Sequence, residues 1–230
     1  MVFGVDMSTW VSDIAVERFE DVETQAVGPD PATALVFCSR SEEAYVLGPR
    51  TRGRYFAGVD AHRLRVRLRP GMARAVLGVG VRELVDRVVP LRELWGVPVG
   101  DPSSLRTALA ARLASLDPRH DALVASAARL VPSVGVAGAA SRLNVSERHL
   151  RTLFTAAVGL PPKRYAKVDR VRRAVATGGA GGWTRVAAEL GYYDQSHLNA
   201  EFRATMGVAP GAFAAGRYPA STPCQRGLAK

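Results

Sequence analysis

Ala187-Ala-Glu-Leu-Gly-Tyr-Tyr-Asp-Gln-Ser-His-Leu198-Asn-Ala-Glu-Phe202, closing through Gly207, Pro210 and Phe213, is the second use of one pattern in this chain. The first is Ala140-Ser-Arg-Leu-Asn-Val-Ser-Glu-Arg-His-Leu150-Arg-Thr-Leu-Phe154, closing through Gly159, Pro162 and Tyr165. From His149 and His197 onward the copies keep an offset of 48; before the turn it is 47, so the second copy carries one extra turn residue. Both copies obey the same physical logic. Ala140 and Ala187 are small enough for close helix approach. Asn144 and Gly191 are residue types that enter the left-handed region cheaply and so end a helix. Ser146 and Asp194 suit the N-cap of the helix that follows. Leu150, Leu153 and Phe154, and in the second copy Leu198 and Phe202, form the stripe expected to be buried. Arg148, Arg151 and Thr152, and then Ser196, His197 and Asn199, form a polar outward face. Two tandem helix-turn-helix units with such faces are suited to reading DNA, the second helix of each lying in a major groove.

Charge points the same way. Through Pro118 there are 15 Arg and 15 acidic residues; from Arg119 onward, 16 Lys and Arg stand against 6 acids, which accounts for the whole formal charge of +10. A neutral half beside a basic half implies a polyanionic partner for the C-terminal half. The basic residues interleave with the buried pattern and make no amphipathic stripe or terminal cluster, which favours nucleic acid over a membrane surface. With 230 residues, 47% of them hydrophobic, the chain can bury two modest cores. No run of about 18 uninterrupted apolar residues occurs and no signal-like start is present, so the expected location is cytoplasmic, with the nucleoid. Cys38 lies in an apolar run and reads as core; Cys224 lies in the tail. Neither these two nor His62, His120, His149 and His197 has metal-ligand spacing. No cofactor, metal or catalytic set is expected.

Residues 34–69 read as β-rich, with short apolar runs at 34–38 and 44–47. His62-Arg-Leu-Arg-Val-Arg-Leu-Arg69 alternates strictly, placing Leu64, Val66 and Leu68 on one face and arginines on the other. A solvated strand face is favoured there over an anion site. Residues 72–95 suggest two short helices, interrupted by Pro90. Asp101 or Ser103 caps a helix to about Leu116. Asp117-Pro118 is the preferred boundary, followed by a helix over 119–130 ending near Pro132. Residues 162–175 read as one continuous helix with proline in its first turn. At 1.5 Å per residue it is roughly 21 to 24 Å long, able to hold two recognition helices near one DNA turn apart.

Residues 119–217 resemble the DNA-binding domain of the AraC/XylS family of bacterial transcriptional regulators. The stretch Val186-Ala-Ala-Glu-Leu-Gly-Tyr-Tyr-Asp-Gln-Ser-His-Leu-Asn-Ala-Glu-Phe-Arg203, with Gly207-Val-Ala-Pro210 and Phe213, is close to that family's signature. More weakly, 46–49, 62–72 and 84–96 resemble an uncharacterised N-terminal domain found with one branch of the family. That branch's proline-aspartate-glycine-cysteine turn is replaced here by Pro29-Asp-Pro-Ala-Thr33. The expected architecture is therefore an α+β sensing or dimerisation domain over 1–118, an all-α tandem helix-turn-helix domain over 119–217, and a disordered tail over 218–230.

The resemblance implies roles by position. Arg148, Arg151 and Thr152 of the first recognition helix, and Ser196, His197 and Ala200 of the second, match base-reading positions. Ala200 departs from the arginine often found there, so the second helix would read thymine methyls or anchor. Gln195, Asn199 and Arg203 match phosphate contacts. Glu147 and Glu201 are expected to face the same region. The implied function is sequence-specific transcription regulation on double-stranded DNA. RNA polymerase, a small-molecule effector at the N-terminal domain and a second copy of the chain are candidate partners, and a membrane is not. The alternative is a non-sensing architectural DNA-binding protein. An enzyme is disfavoured because no phosphate loop, nucleophile set or metal spacing appears.

Overall fold

A computed structural model describes residues 7–19, 24–57, 61–117 and 122–223. The expectations for Pro118, for Arg119 and His120, and for Cys224 and the tail beyond 223 lie outside the described residues. The N-terminal half is built on a five-stranded antiparallel sheet in the order β1 (Val11–Phe19), β6 (Ala61–Leu68), β3 (Ala34–Cys38), β4 (Glu43–Leu47) and β7 (Val88–Pro90). A smaller sheet pairs β2 (Gln25–Val27) with β5 (Arg54–Ala57), and β5 with β8 (Thr222–Pro223). Alternation along β6 sends Val66 and Leu68 into a core shared with Leu35, Phe37 and Val46. That core is closed by α1 (Ala73–Leu77), α2 (Leu91–Trp95) and α3 (Pro102–Leu113). Asp101 starts α3 through a capping box with Ser104, and Pro102 occupies the first turn. Cys38 is buried.

Several local expectations are corrected. The second of the two helices expected within 72–95 is instead a 3₁₀ turn over Val81–Leu84 followed by β7. Asp86 breaks the path at φ 58°, and its carboxylate accepts from the backbone N–H and hydroxyl of Thr51. β-branched Val88 and Val89 then pair with the exposed edge of β4. Strand β1, which carries exposed Ile14 and Val16 on its outer face, and the short β2 have too little alternation to stand out in the sequence.

In the C-terminal half, α4 (Ala122–Arg142) runs past Pro132 and breaks three residues later at Gly135, whose φ of 70° and ψ of −175° are open essentially only to glycine. By length and composition α4 could cross a membrane, an outcome the absence of an uninterrupted apolar run did not anticipate. The break divides it, however, and Val124, Ala127, Val131 and Ala140 are spent on the protein core. α5 (Glu147–Val158), α6 (Pro162–Thr177), α7 (Trp183–Glu189), α8 (Gln195–Met206) and α9 (Pro210–Ala214) complete the chain. α6 begins with proline and ends at left-handed Gly178, as its sequence requires.

The two halves are sutured together. The Tyr55 hydroxyl donates to the carbonyl of Met206 at 2.7 Å. Gly53 N–H donates to Thr205 O at 3.0 Å, and Arg164 Nη2 donates to Thr51 Oγ1 at 3.0 Å. The stretch expected as a disordered tail from 218 is placed as far as Pro223. Tyr218 packs on Tyr55 and Phe213 with ring centroids 5.4 and 5.5 Å apart, and Thr222 and Pro223 pair with Phe56 and Ala57 in β5.

Candidate nucleic-acid interface

Each helix-turn-helix unit is assembled by the residues its pattern supplies. Asn144 takes φ 54° and Gly191 φ 71° at the two turns. The Ser146 side chain accepts from His149 N–H at 3.1 Å and opens α5. Asp194 accepts from His197 N–H at 2.7 Å and opens α8. Ala140 and Ala187 are buried where the helices of each pair meet, and Leu150, Phe154, Leu198 and Phe202 are fully buried. Leu153 does not join them: it is 37% exposed. The buried face of α5 continues from Leu150 and Phe154 to Ala157 and Val158, which turns Leu153 to the flank.

Arg148, Arg151 and Thr152 all stand exposed on α5, and Ser196, His197 and Ala200 on α8. Gln195 and Arg203 are exposed and Asn199 is half-buried. Within α5, Glu147 pairs with Arg151 one turn on, and the Thr152 hydroxyl donates to Arg148 O at 3.0 Å. Glu147 therefore does lie beside the exposed residues of α5, paired with Arg151. On α8, Gln195 Oε1 accepts from Thr184 Oγ1 at 2.6 Å, which ties the start of the helix to α7.

Glu201 does not face this surface. It is 8% exposed and accepts from Arg170 Nε at 3.1 Å and Nη2 at 3.0 Å. It also accepts from the Tyr192 hydroxyl at 3.0 Å. The Arg170 guanidinium lies 4.5 Å from the centroid of the Tyr192 ring. Adjacent to the buried Leu198–Phe202 stripe, position 201 points toward α6, and only a partner inside the protein lets a carboxylate reside there. This triad locks α8 and its turn onto α6. Its members are 9 and 31 residues apart in sequence, so no local motif announces it.

Two further features have no signal in the sequence pattern. Tyr193, next to buried Tyr192 in the turn before α8, is 93% exposed, an aromatic ring displayed at the edge of the reading face. The C-terminal half of α5 also docks on the N-terminal half of the chain. A cleft of about 670 Å³ there is lined by Thr152, Thr155 and Ala156 on one side and by Val79 and Gly80 on the other, with Arg74 and Arg82 flanking Arg151. The neutral average charge of the N-terminal half conceals these two exposed arginines.

Comparison with known proteins follows the same residues. A family model described as a helix-turn-helix domain matches residues 139–216. No curated protein matches. Among solved structures, the C-terminal domain of AraT, a response regulator from Geobacillus stearothermophilus, is 19% identical with a TM-score of 0.39, over 43% of this chain and 88% of that one. ToxT from Vibrio cholerae O395 is 11% identical with a TM-score of 0.48, over 90% and 97%. Wild-type ToxT with bound unsaturated fatty acid, from Vibrio cholerae strain SCE256, is 12% identical with a TM-score of 0.45, over 87% and 94%. Residues 139–216 of this chain, which hold the α5 and α8 units, are thus similar to a helix-turn-helix domain.

Proposed function

We propose that the chain is a sequence-specific transcription regulator that places α5 and α8 in successive major-groove segments of double-stranded DNA. One observation carries the reading: two capped helices with exposed polar faces are both packed on α6, whose 16 residues make a strut of roughly 24 Å. Groove segments on one face of a duplex recur about every 34 Å. The buried Arg170–Glu201–Tyr192 triad fixes α8 to the strut, and the shared core with Tyr165 fixes α5 to it.

In this reading Arg148 and Arg151 donate to guanine edges, and Thr152 contacts a neighbouring base. Ser196, His197 and Ala200 read the second segment. Gln195, Asn199 and Arg203 hold phosphates, which position the protein without specifying sequence. Residues 1–118 form the sensing or dimerisation part and 119–217 the reading part, although Tyr55, Thr51 and β5 bind the two firmly together. Cytoplasmic location, contact with RNA polymerase and self-association belong to the same proposal.

Selection from a randomised duplex pool at about 150 mM salt, where non-specific binding is already weakened, tests it. The expected product is one site with two preferred patches about one helical turn apart. Retention of all sequences alike, abolished by salt, would replace this reading with that of an architectural binder.

A further inference from the structure

The arginine face of β6 is not a solvated strand face. It forms the floor of a cavity of about 680 Å³ between the five-stranded sheet, the segment around β2 and the helix α6. Six arginines reach its lining: Arg63, Arg65 and Arg67 from β6, Arg18 from β1, Arg50 from the loop before β5, and Arg172 from α6. Among the described residues three carboxylates line the cavity with them and all three are engaged, while Arg172 is held from α6 itself by Asp169 at 2.8 Å. Asp30 accepts from Arg67 at 2.8 and 3.0 Å, while Asp13 and Glu17 both hold Arg65, at 3.0 and 2.5 Å. Like Arg63, Arg50 has a buried Nε that makes no hydrogen bond. The Nη2 of Arg50 reaches Gly28 O at 3.4 Å. A buried orphan donor on a cation is costly and calls for an acceptor. Burial pulls the pKa of Arg50 down, and the charge of Asp30 works against that. An additional anion would act in the same direction as Asp30. Apart from Gln25 the remaining wall is apolar, with Val27, Pro29, Val175 and Ala176 among its residues.

From this we propose that the cavity binds a small organic oxyanion, with its carboxylate or phosphate oxygens on Arg50 and the neighbouring arginines and its short carbon body against Val27 and Val175. Such a ligand would bridge the N-terminal sheet and α6, the strut on which both reading helices are mounted. The site stands whether or not the chain reads DNA, and its test contains no DNA.

The full chain is melted with citrate, inorganic phosphate or laurate, each titrated at constant ionic strength against chloride. Citrate or phosphate is expected to raise Tm in proportion to the logarithm of its concentration once that exceeds the dissociation constant, by roughly 5 °C or more near 100 times that constant. Which of the two acts distinguishes a carboxylate from a phosphate ligand. Arg50→Met should abolish the shift. Arg18→Ala, at an exposed rim position, should weaken binding several-fold, and it carries the test alone if Arg50→Met does not fold. A shift that survives unchanged in the variants would place the anion elsewhere on the basic surface and overturn the proposal. So would a shift with laurate alone, or none with any of the three.

Discussion

Glu201 and Arg203 lie two residues apart on α8 and belong to different parts of the mechanism, because one turns inward to Arg170 and the other outward to solvent. Replacing Glu201 by Ala strands a half-buried guanidinium and the Tyr192 hydroxyl, at a cost of about 3 kcal/mol. Urea unfolding should show that loss, and Glu201→Gln should recover part of it. The sequence selected from a random pool should be unchanged in the Gln variant; a changed preference at unchanged stability would mean that Glu201 touches DNA. Arg148 and Arg203 make the complementary pair. Arg148→Ala should cost about 1–3 kcal/mol of discrimination at one base position. Arg203→Ala should instead weaken binding to all sequences alike and reduce the slope of log K against log salt by about 0.9. Equal losses for both variants on specific and scrambled duplexes would show that the two arginines do not have separate roles.

The helix-turn-helix units are the elements whose local chemistry is most complete. Ser146 and Asp194 satisfy backbone donors that would otherwise be orphaned at the starts of α5 and α8. Ser146→Ala and Asp194→Ala should each cost about 1 kcal/mol, seen as a lower urea midpoint at unchanged slope. The caps, Asn144, Gly191, the buried leucines and phenylalanines, and the proline start of α6 were all legible because each is dictated by neighbours within one or two helical turns. What was not legible is what non-local packing decides. Leu153 satisfies the helical period yet lies on the flank, since Ala157 and Val158 extend the buried face in another direction. Val81–Val89 carries enough apolar residues for a helix, but the open edge of β4 recruits Val88 and Val89 as a strand. The alternating arginines of β6 read as solvated because nothing nearby in sequence reveals that Asp30 and α6 cover them. Glu201 was misread for the same reason, its partner being 31 residues away.

Over the whole molecule, the two halves share hydrogen bonds, ring contacts and a strand pair, so they should unfold as one cooperative unit. Tyr55 is the clearest test of that coupling. Tyr55→Phe keeps the ring against Tyr218 and removes the bond to Met206 O, at about 1 kcal/mol. Unfolding followed in either half should shift together; two separated transitions would deny the coupling. Asp30 gives a pH-dependent counterpart. Burial opposes its ionisation, but the bidentate bond and charge of Arg67, the charge of Arg50 and the Ala32 N–H outweigh burial and hold the carboxyl below its ordinary 3.8. Because the folded pKa is the lower one, the stabilisation is fully present above about pH 4. It is lost as pH falls from there through the folded value. Asp30→Asn should therefore cost about 2–3 kcal/mol at pH 7, where it leaves Arg67 with a neutral partner in a half-buried wall. The gap between wild type and variant should narrow steadily below pH 4. The comparison isolates Asp30 from the other carboxylates, which titrate in both proteins. A gap in urea midpoints that stays constant from pH 7 to pH 3 would mean that the Asp30–Arg67 pair contributes no charge-dependent stability to the floor of the cavity.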